Sequence, residues 1–208
     1  MIHLHQIKSQ ASPYWDSLVR VYLQSFPIDE QRPIASIARL LTEEPRYTMH
    51  AIIDDNYAAE LQANSQKPKA NSQVPTANSQ GLKANSQKLL GLLTTWHFET
   101  FVYIEHFAIA PALRSQGYGT EALKTFISKQ EKPIILEAEP PTDDITRRRI
   151  GFYQRNGLTM YDFPYIQPAY TPESKPVELR LMGTLNTNVT PLTLISSTLY
   201  RTVYKSIE

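Results

Sequence analysis

The chain has 208 residues, 41% of them hydrophobic, enough to bury the core of a single domain. Its 21 Lys and Arg are balanced by 20 Asp and Glu, so no basic field calls for nucleic acid or an anionic membrane, and any anion site must be local. Cysteine is absent, which excludes disulfides, thiolate metal sites and a cysteine acyl-enzyme intermediate.

Ile2, Leu4 and Ile7 alternate with polar residues, so Met1 to Lys8 reads as a first strand. No basic region there leads into an apolar run, and no later stretch reaches membrane-spanning length, so a cytoplasmic protein is expected. Ser12-Pro13 offers an N-cap and a proline at the first helical position. Tyr14, Trp15, Leu18, Val19, Tyr22 and Phe26 follow as an apolar stripe that Pro27 ends. Pro33 opens a second helix through Ile37, Leu40 and Leu41, and Tyr47 to Ile53 forms the second strand. Residues 61–88 differ in kind: Ala-Asn-Ser-Gln recurs at 63, 70, 77 and 84 with polar or small spacers. A seven-residue period without an apolar seam builds neither a coiled coil nor a solenoid, so this is a low-complexity insert, flexible or a solvated hairpin extension, between the second and third strands.

Leu89 to Phe98 is the third strand and Tyr103 to Ile109 the fourth. Regular alternation places Tyr103, Glu105, Phe107 and Ile109 on one face and Ile104, His106 and Ala108 on the other. Glu105 then lies between two aromatic rings, where desolvation would raise its pKa and suit it to act as a base; the alternative is a glutamate paired structurally with a neighbouring strand. His106, on the opposite face, reads as a packed or solvated histidine.

Beyond Pro111, Arg114-Ser115-Gln116-Gly117-Tyr118-Gly119-Thr120 sets two glycines at the start of a helix carrying Leu123, Phe126 and Ile127. Glycine allows close backbone approach and the helix N-terminus favours an anion, so a phosphate-bearing ligand is expected. A nucleoside-triphosphatase loop is excluded because no lysine follows Gly119. The dinucleotide fingerprint Gly-x-Gly-x-x-Gly/Ala fits Gly117 to Ala122, with Glu137 about twenty residues on, but Pro111 to Gln116 separate it from the strand.

Pro133 to Ala138 is the fifth strand, with Glu137 and Glu139 near its end. The next helix runs from Thr142-Asp143-Asp144, acids suited to its positive end, to Asn156-Gly157 at its cap. Arg147, Arg148 and Arg149 occupy successive positions and cannot all face one way. Thr159 to Tyr165 and Val177 to Met182 read as two further strands, and Leu192, Ile195, Leu199 and Val203 recur at helical spacing in a tail that docks on the domain or contacts another subunit. The five histidines have no cysteine or carboxylate spacing that completes a tetrahedral metal site.

Arg114-x-x-Gly117-x-Gly119, after a strand with an internal glutamate and before Ile150-Gly151-Phe152-Tyr153-Gln154-Arg155-Asn156-Gly157, resembles the GNAT superfamily of acyl-CoA-dependent N-acyltransferases. The resemblance covers roughly residues 100–160 closely. It implies a mixed α+β fold with a central, mostly antiparallel sheet of about seven strands flanked by helices. The domain would span residues 1–184, interrupted by the insert at 61–88, with residues 185–208 as a helical tail. It further implies acetyl transfer from acetyl-CoA to a primary amine, by direct attack in a ternary complex and without a metal. Glu105 would act as base and Tyr153 as the acid that protonates the leaving thiolate. Phe107, Ala108 and Ile109 would hold the thioester region, and Arg114, Ser115, Gln116, Gly117, Tyr118, Gly119 and Thr120 the pyrophosphate. The acceptor would be a small-molecule or peptide amine, with no nucleic acid or membrane partner and a homodimer left open; from their positions, Glu137 and Glu139 are either a site for a cationic acceptor or solvated strand-end charges, and Gln167-Pro168-Ala169-Tyr170 would line the acceptor pocket. Two other readings stand beside this one: a non-catalytic acyl-CoA-binding module and a dinucleotide-binding protein.

Overall fold

A computed structural model describes residues 1–55 and 88–205. The repeat insert therefore lies outside the described residues except for Lys88, which begins a strand. The strands are β1 (Ile2–Ile7), β2 (Tyr47–Asp54), β3 (Lys88–His97), β4 (Val102–Ile109), β5 (Ile134–Ala138), β6 (Thr159–Met160), β7 (Tyr165–Gln167) and β8 (Val177–Gly183). The helices are α1 (Trp15–Ser25), α2 (Ile34–Glu43), α3 (Tyr118–Ile127), α4 (Asp144–Arg155) and α5 (Leu192–Leu199). No described helix is long and apolar enough to cross a membrane.

The fold is the expected α+β architecture, with the strands in the order β1-β2-β3-β4-β5-β8-β6 and β7 paired to β8. All pairs are antiparallel except β4 with β5, which α3 connects as a crossover. The described strands number eight because the stretch foreseen as one strand from Thr159 to Tyr165 divides. The Phe163 amide turns back to the Tyr161 carbonyl at 3.0 Å, and Pro164 has no amide to continue the ladder.

Each sheet face carries its own core. Trp15, Leu18 and Tyr22 of α1, Ile37 and Leu40 of α2, and Ile195 and Leu199 of α5 pack with Trp96, Tyr103 and Ile135 on one face. Leu123 and Phe126 of α3 and Ile150 and Tyr153 of α4 pack with Ile104, Leu136 and Met182 on the other. The apolar stripes of the sequence thus become the buried helix faces. One start differs from expectation: Ser12 makes a turn before α1, its hydroxyl accepting from the Tyr14 amide at 3.3 Å and its carbonyl from Trp15 at 3.0 Å, whereas Pro33 caps and so opens α2.

Two irregularities create the site. The first is a β-bulge: Thr94 opposes His106 while Thr95 opposes Ile104, so Glu105 is an extra residue with no partner on β3. The expected alternation along β4 therefore breaks. Glu105 and His106 both project to the α1 face with Tyr103, whereas Phe107 and Ile109 turn to the face of α3 and α4. The second is a fork. β4 and β5 pair only from Val102 with Ile134 to Ile104 with Leu136, after which β5 follows β8 and leaves the edge of β4 uncovered.

Gly91 stands opposite Ile109 at this end of the sheet, where an added Cβ would lie 2.1 Å from the Ala108 carbonyl oxygen. Gly91→Ala is therefore expected to lose about 2–3 kcal/mol by overpacking, read as a lower urea midpoint with unchanged slope. A midpoint equal to the parent would show that β3 yields without penalty.

Candidate active site

The fork opens a cavity of about 520 Å³ between β4 and β5, which reaches α3, α4 and the turn after α1. Its β4 wall presents backbone donors. The Ala110 amide donates to the Leu90 carbonyl at 2.8 Å, so amides at alternate positions, Ala108 included, point to β3. The Phe107 and Ile109 amides consequently point into the fork.

Arg114 links this wall to the glycine loop. Its Nε donates to the Ile109 carbonyl at 3.1 Å and its Nη2 to Ser25 Oγ at 3.3 Å, so the guanidinium braces the strand end against α1. Ser115 (φ 63°) and Gly117 (φ 86°) take left-handed conformations, and Gly117 caps α3. The first bond of the helix ladder is Glu121 amide to Gly117 carbonyl at 3.2 Å, so the amides of Tyr118, Gly119 and Thr120 face outward at the positive helix end. Gly119 packs under Phe152, whose ring carbons would lie 3.5 Å from an added Cβ. Of the residues expected to bind cosubstrate, Phe107, Ala108, Ile109, Arg114, Ser115, Gly117, Gly119 and Thr120 line the cavity. Gln116 instead bends to the Ala112 carbonyl at 3.5 Å, and the Tyr118 ring packs beside Ile109 and Ala122.

Glu105 is in the cavity wall, but its environment corrects the expected direction of its pKa. Its side chain is 0% exposed. Oε1 accepts from Arg32 Nε at 2.9 Å, Arg32 Nη2 at 2.6 Å and the Tyr170 hydroxyl at 3.0 Å, and Oε2 accepts from Trp96 Nε1 at 2.9 Å. Burial alone would raise the pKa, but the Arg32 charge and these donors outweigh it, so the carboxylate is held below its ordinary range. It is thus a structurally paired glutamate, the alternative left open by its position. Arg32 itself is fixed further by donating to the Val203 carbonyl at 2.9 Å and lying 4.5 Å from the centre of the Tyr170 ring.

His106 shares that face, against expectation, and is also fully engaged. Its Nε2 lies 3.2 Å from both the Glu30 carbonyl and the Tyr22 hydroxyl, and its Nδ1 lies 3.1 Å from Thr94 Oγ1. A carbonyl can only accept, so Nε2 carries the hydrogen and Nδ1 accepts from Thr94. Burial lowers the pKa and keeps the ring neutral.

Tyr153, on α4, contrasts with both. It is 8% exposed and its hydroxyl has no protein hydrogen-bond partner among the described residues, yet it lines the cavity. Burial pushes its pKa up to about 12, so the phenol stays protonated. The opposite wall carries Glu137 of β5 and Glu139 just beyond its end, with Gln167 and Glu30. Glu139 pairs with Arg149; Arg148 also faces the cavity, whereas Arg147 bonds Asp144 at 2.7 Å outside it. Arg32, Trp96 and Glu30 escaped sequence reasoning, since each is a lone residue in no recognisable spacing.

A sequence model of the acetyltransferase (GNAT) family matches residues 15–158. A solved GNAT-family protein of Bacteroides thetaiotaomicron, named as an acetyltransferase, is 26% identical with a TM-score of 0.79 over 99% of each chain. Arabidopsis thaliana NAA60, solved with acetyl-CoA, shares the fold at a TM-score of 0.55 and 12% identity over 88% of this chain and 97% of its own. The Bacillus subtilis (strain 168) protein YjbC, also named as an acetyltransferase, is 35% identical over 60 residues, 28% of this chain and 31% of that relative's length. The family match spans most of the sheet, the bulged strand, the fork and the glycine loop, and the chain belongs to the acetyltransferase (GNAT) family.

Proposed function

We propose that the protein transfers an acetyl group from acetyl-CoA directly to a primary amine bound in the same cavity. The observation that carries this reading is the fork: the Phe107 and Ile109 amides point into it, and it leads to the free amides of Tyr118 to Thr120 behind the left-handed cap at Gly117. Strand-edge amides suit the amide-bearing arm and thioester carbonyl of an acyl-CoA, and a helix N-terminus suits its pyrophosphate. NAA60 was solved with acetyl-CoA, which supports the choice of donor.

The thioester lies in the gap between the two sheet faces in this reading. An amine approaches from the side of α1 and α5, and sulfur departs toward α3 and α4, where the unpartnered Tyr153 hydroxyl can protonate it. Glu105, held ionised by Arg32, Trp96 and Tyr170, serves as the fixed anion that orders the acceptor wall. With no cysteine in the chain, no thioester enzyme intermediate intervenes.

The test is calorimetric titration with acetyl-CoA, of the parent and of Gly117→Glu. Cβ at this position meets open space, so the variant folds with modest backbone strain but places a carboxylate beside the helix end. Like-charge juxtaposition of this kind costs several kcal/mol, so affinity should fall more than about 100-fold. Equal affinity in both proteins would move the pyrophosphate elsewhere. Binding by the parent without thiol release across a screen of amines would favour a non-catalytic acyl-CoA-binding module.

A further inference from the structure

If acetyl transfer occurs in this cavity, the acceptor nitrogen must lose a proton; Glu105 is a weak acceptor because the Arg32 charge holds its carboxylate in the ionised form, and the His106 Nδ1 lone pair is taken by Thr94. We propose that Glu137, held by Tyr165 and by Tyr204 of the C-terminal segment, is the proton acceptor for the attacking amine.

Three placements support it. Glu137 is the first residue of β5 beyond the last β4–β5 pair, at the mouth of the fork, and lines the cavity. It alternates with Leu136, which packs on the α4 side, so its carboxylate projects to the face from which the amine approaches. Each oxygen is oriented by one phenol: Tyr165 donates to Oε1, and Tyr204 donates to Oε2 at 2.8 Å while Tyr103 lies 3.0 Å from the Tyr204 hydroxyl. One lone pair per oxygen is left for the substrate.

The charged and titratable groups around it are Tyr103 and Glu105 of β4, Tyr165 of β7, Tyr170 of the link to β8, and Tyr200 and Tyr204 of the tail. Burial raises the Glu137 pKa to about 7, with the phenol hydrogen bonds working against it and the Glu105 charge adding to it. A carboxyl poised there matches the pH at which it would work. Glu30 is also raised to about 7, but no hydrogen bond among the described residues fixes its carboxylate, so nothing aims it.

The step balances as follows. A neutral amine attacks the thioester carbon, forming the N–C bond; nitrogen passes one proton to the Glu137 carboxylate; the C–S bond breaks and sulfur gains one proton from Tyr153. The Glu137 carboxyl then returns its proton, through cavity water, to the Tyr153 phenolate. An ammonium form releases its extra proton to solvent on entry.

The tail is therefore part of the catalytic apparatus. Tyr204 lies 67 positions from Glu137 in the chain, on the turn Tyr200–Tyr204 that follows α5, and the neighbouring Val203 carbonyl holds Arg32.

Two measurements test it. Carbon-13 NMR of protein labelled at glutamate carboxyls, titrated from about pH 5 to about pH 9, should show two carboxyls titrating near neutrality, one lost in Glu30→Gln and the other, that of Glu137, lost in Glu137→Gln. The Glu137 titration should move to higher pH in Tyr204→Phe, because a donor that favours the ionised form is removed. Thiol release from acetyl-CoA should then be followed with spermidine, L-lysine and a short peptide bearing a free amino terminus. The parent rate should rise with pH through about 7, and Glu137→Gln should lose about 100-fold or more with the limb flattened and acetyl-CoA affinity unchanged. A purely structural role would lower the rate equally at every pH. The proposal is overturned if Glu137→Gln keeps the parent limb, if the limb disappears in Glu30→Gln instead, or if no Glu137 carboxyl titrates near neutrality, a result that stands whether or not any of the three amines is a substrate. Failure of the parent to bind acetyl-CoA would be separate, and would remove the transferase reading itself.

Discussion

Arg32→Leu is expected to lower stability by about 3–5 kcal/mol, the largest effect of any single substitution considered for this protein. Arg32 and Glu105 form an ion pair whose side chains are 10% and 0% exposed, so removing the cation leaves a buried carboxylate with only the Trp96 and Tyr170 donors. The deficit should depend on pH in a defined sense. In the parent, Glu105 has a lowered pKa, so its contribution is present above the unfolded carboxyl pKa and lost as pH falls through the folded value. In the variant the main opposing charge is gone, burial outweighs the remaining Trp96 and Tyr170 donors and raises that pKa, so stability declines as pH rises through the raised value. The gap between the two proteins should widen from about pH 4 toward neutrality. Urea melts at several pH values would show it, and a constant gap would mean that the lost packing of the guanidinium, and not the charge, is responsible.

Tyr153→Phe is expected to separate rate from stability. The hydroxyl has no protein partner among the described residues, so removing it strands no donor or acceptor and should leave the melting temperature within about a degree of the parent. Acetyl-CoA affinity should also hold, because the ring and its packing in the α4 core remain. If Tyr153 protonates the departing thiolate, kcat with a turned-over amine should fall about 100-fold with KM for acetyl-CoA unchanged. A parent kcat would dismiss Tyr153 as the acid, and a raised KM would make it a binding residue.

Both experiments address side chains whose roles were unequally visible in the sequence. Tyr153 could be named because the segment Ile150 to Gly157 carries the family resemblance, and the helix end there is set locally by the cap at Gly157 (φ 88°). The strand, the pair of glycines at the loop and the start of α3 were legible from residues within a few positions, whereas the left-handed conformation at Gly117 came only with the structure. The α5 stripe was legible as a helix, but its partner was not. Ile195 and Leu199 pack on the domain's own core, and the chain beyond continues as a turn that carries Tyr204 to Glu137. Glu105 was found as a residue and misread as an environment. Its donor Arg32 is 73 positions away and has no motif to mark it.

By itself, then, the sequence determined the helix stripes, the strands β1 to β5 up to their ends and the glycine turn that opens α3, because hydrophobic period, capping and backbone freedom act over a few residues, and its motifs pointed to the family. Only the tertiary structure decided which way Glu105 faces and what it can do. A single unpaired residue in β4 shifts every later side chain to the opposite face, and that register is set by pairing with β3, which no periodicity within β4 records. The fork between β4 and β5, the Arg32 pairing and the phenols around Glu137 are likewise contacts between distant segments, settled by how the elements pack.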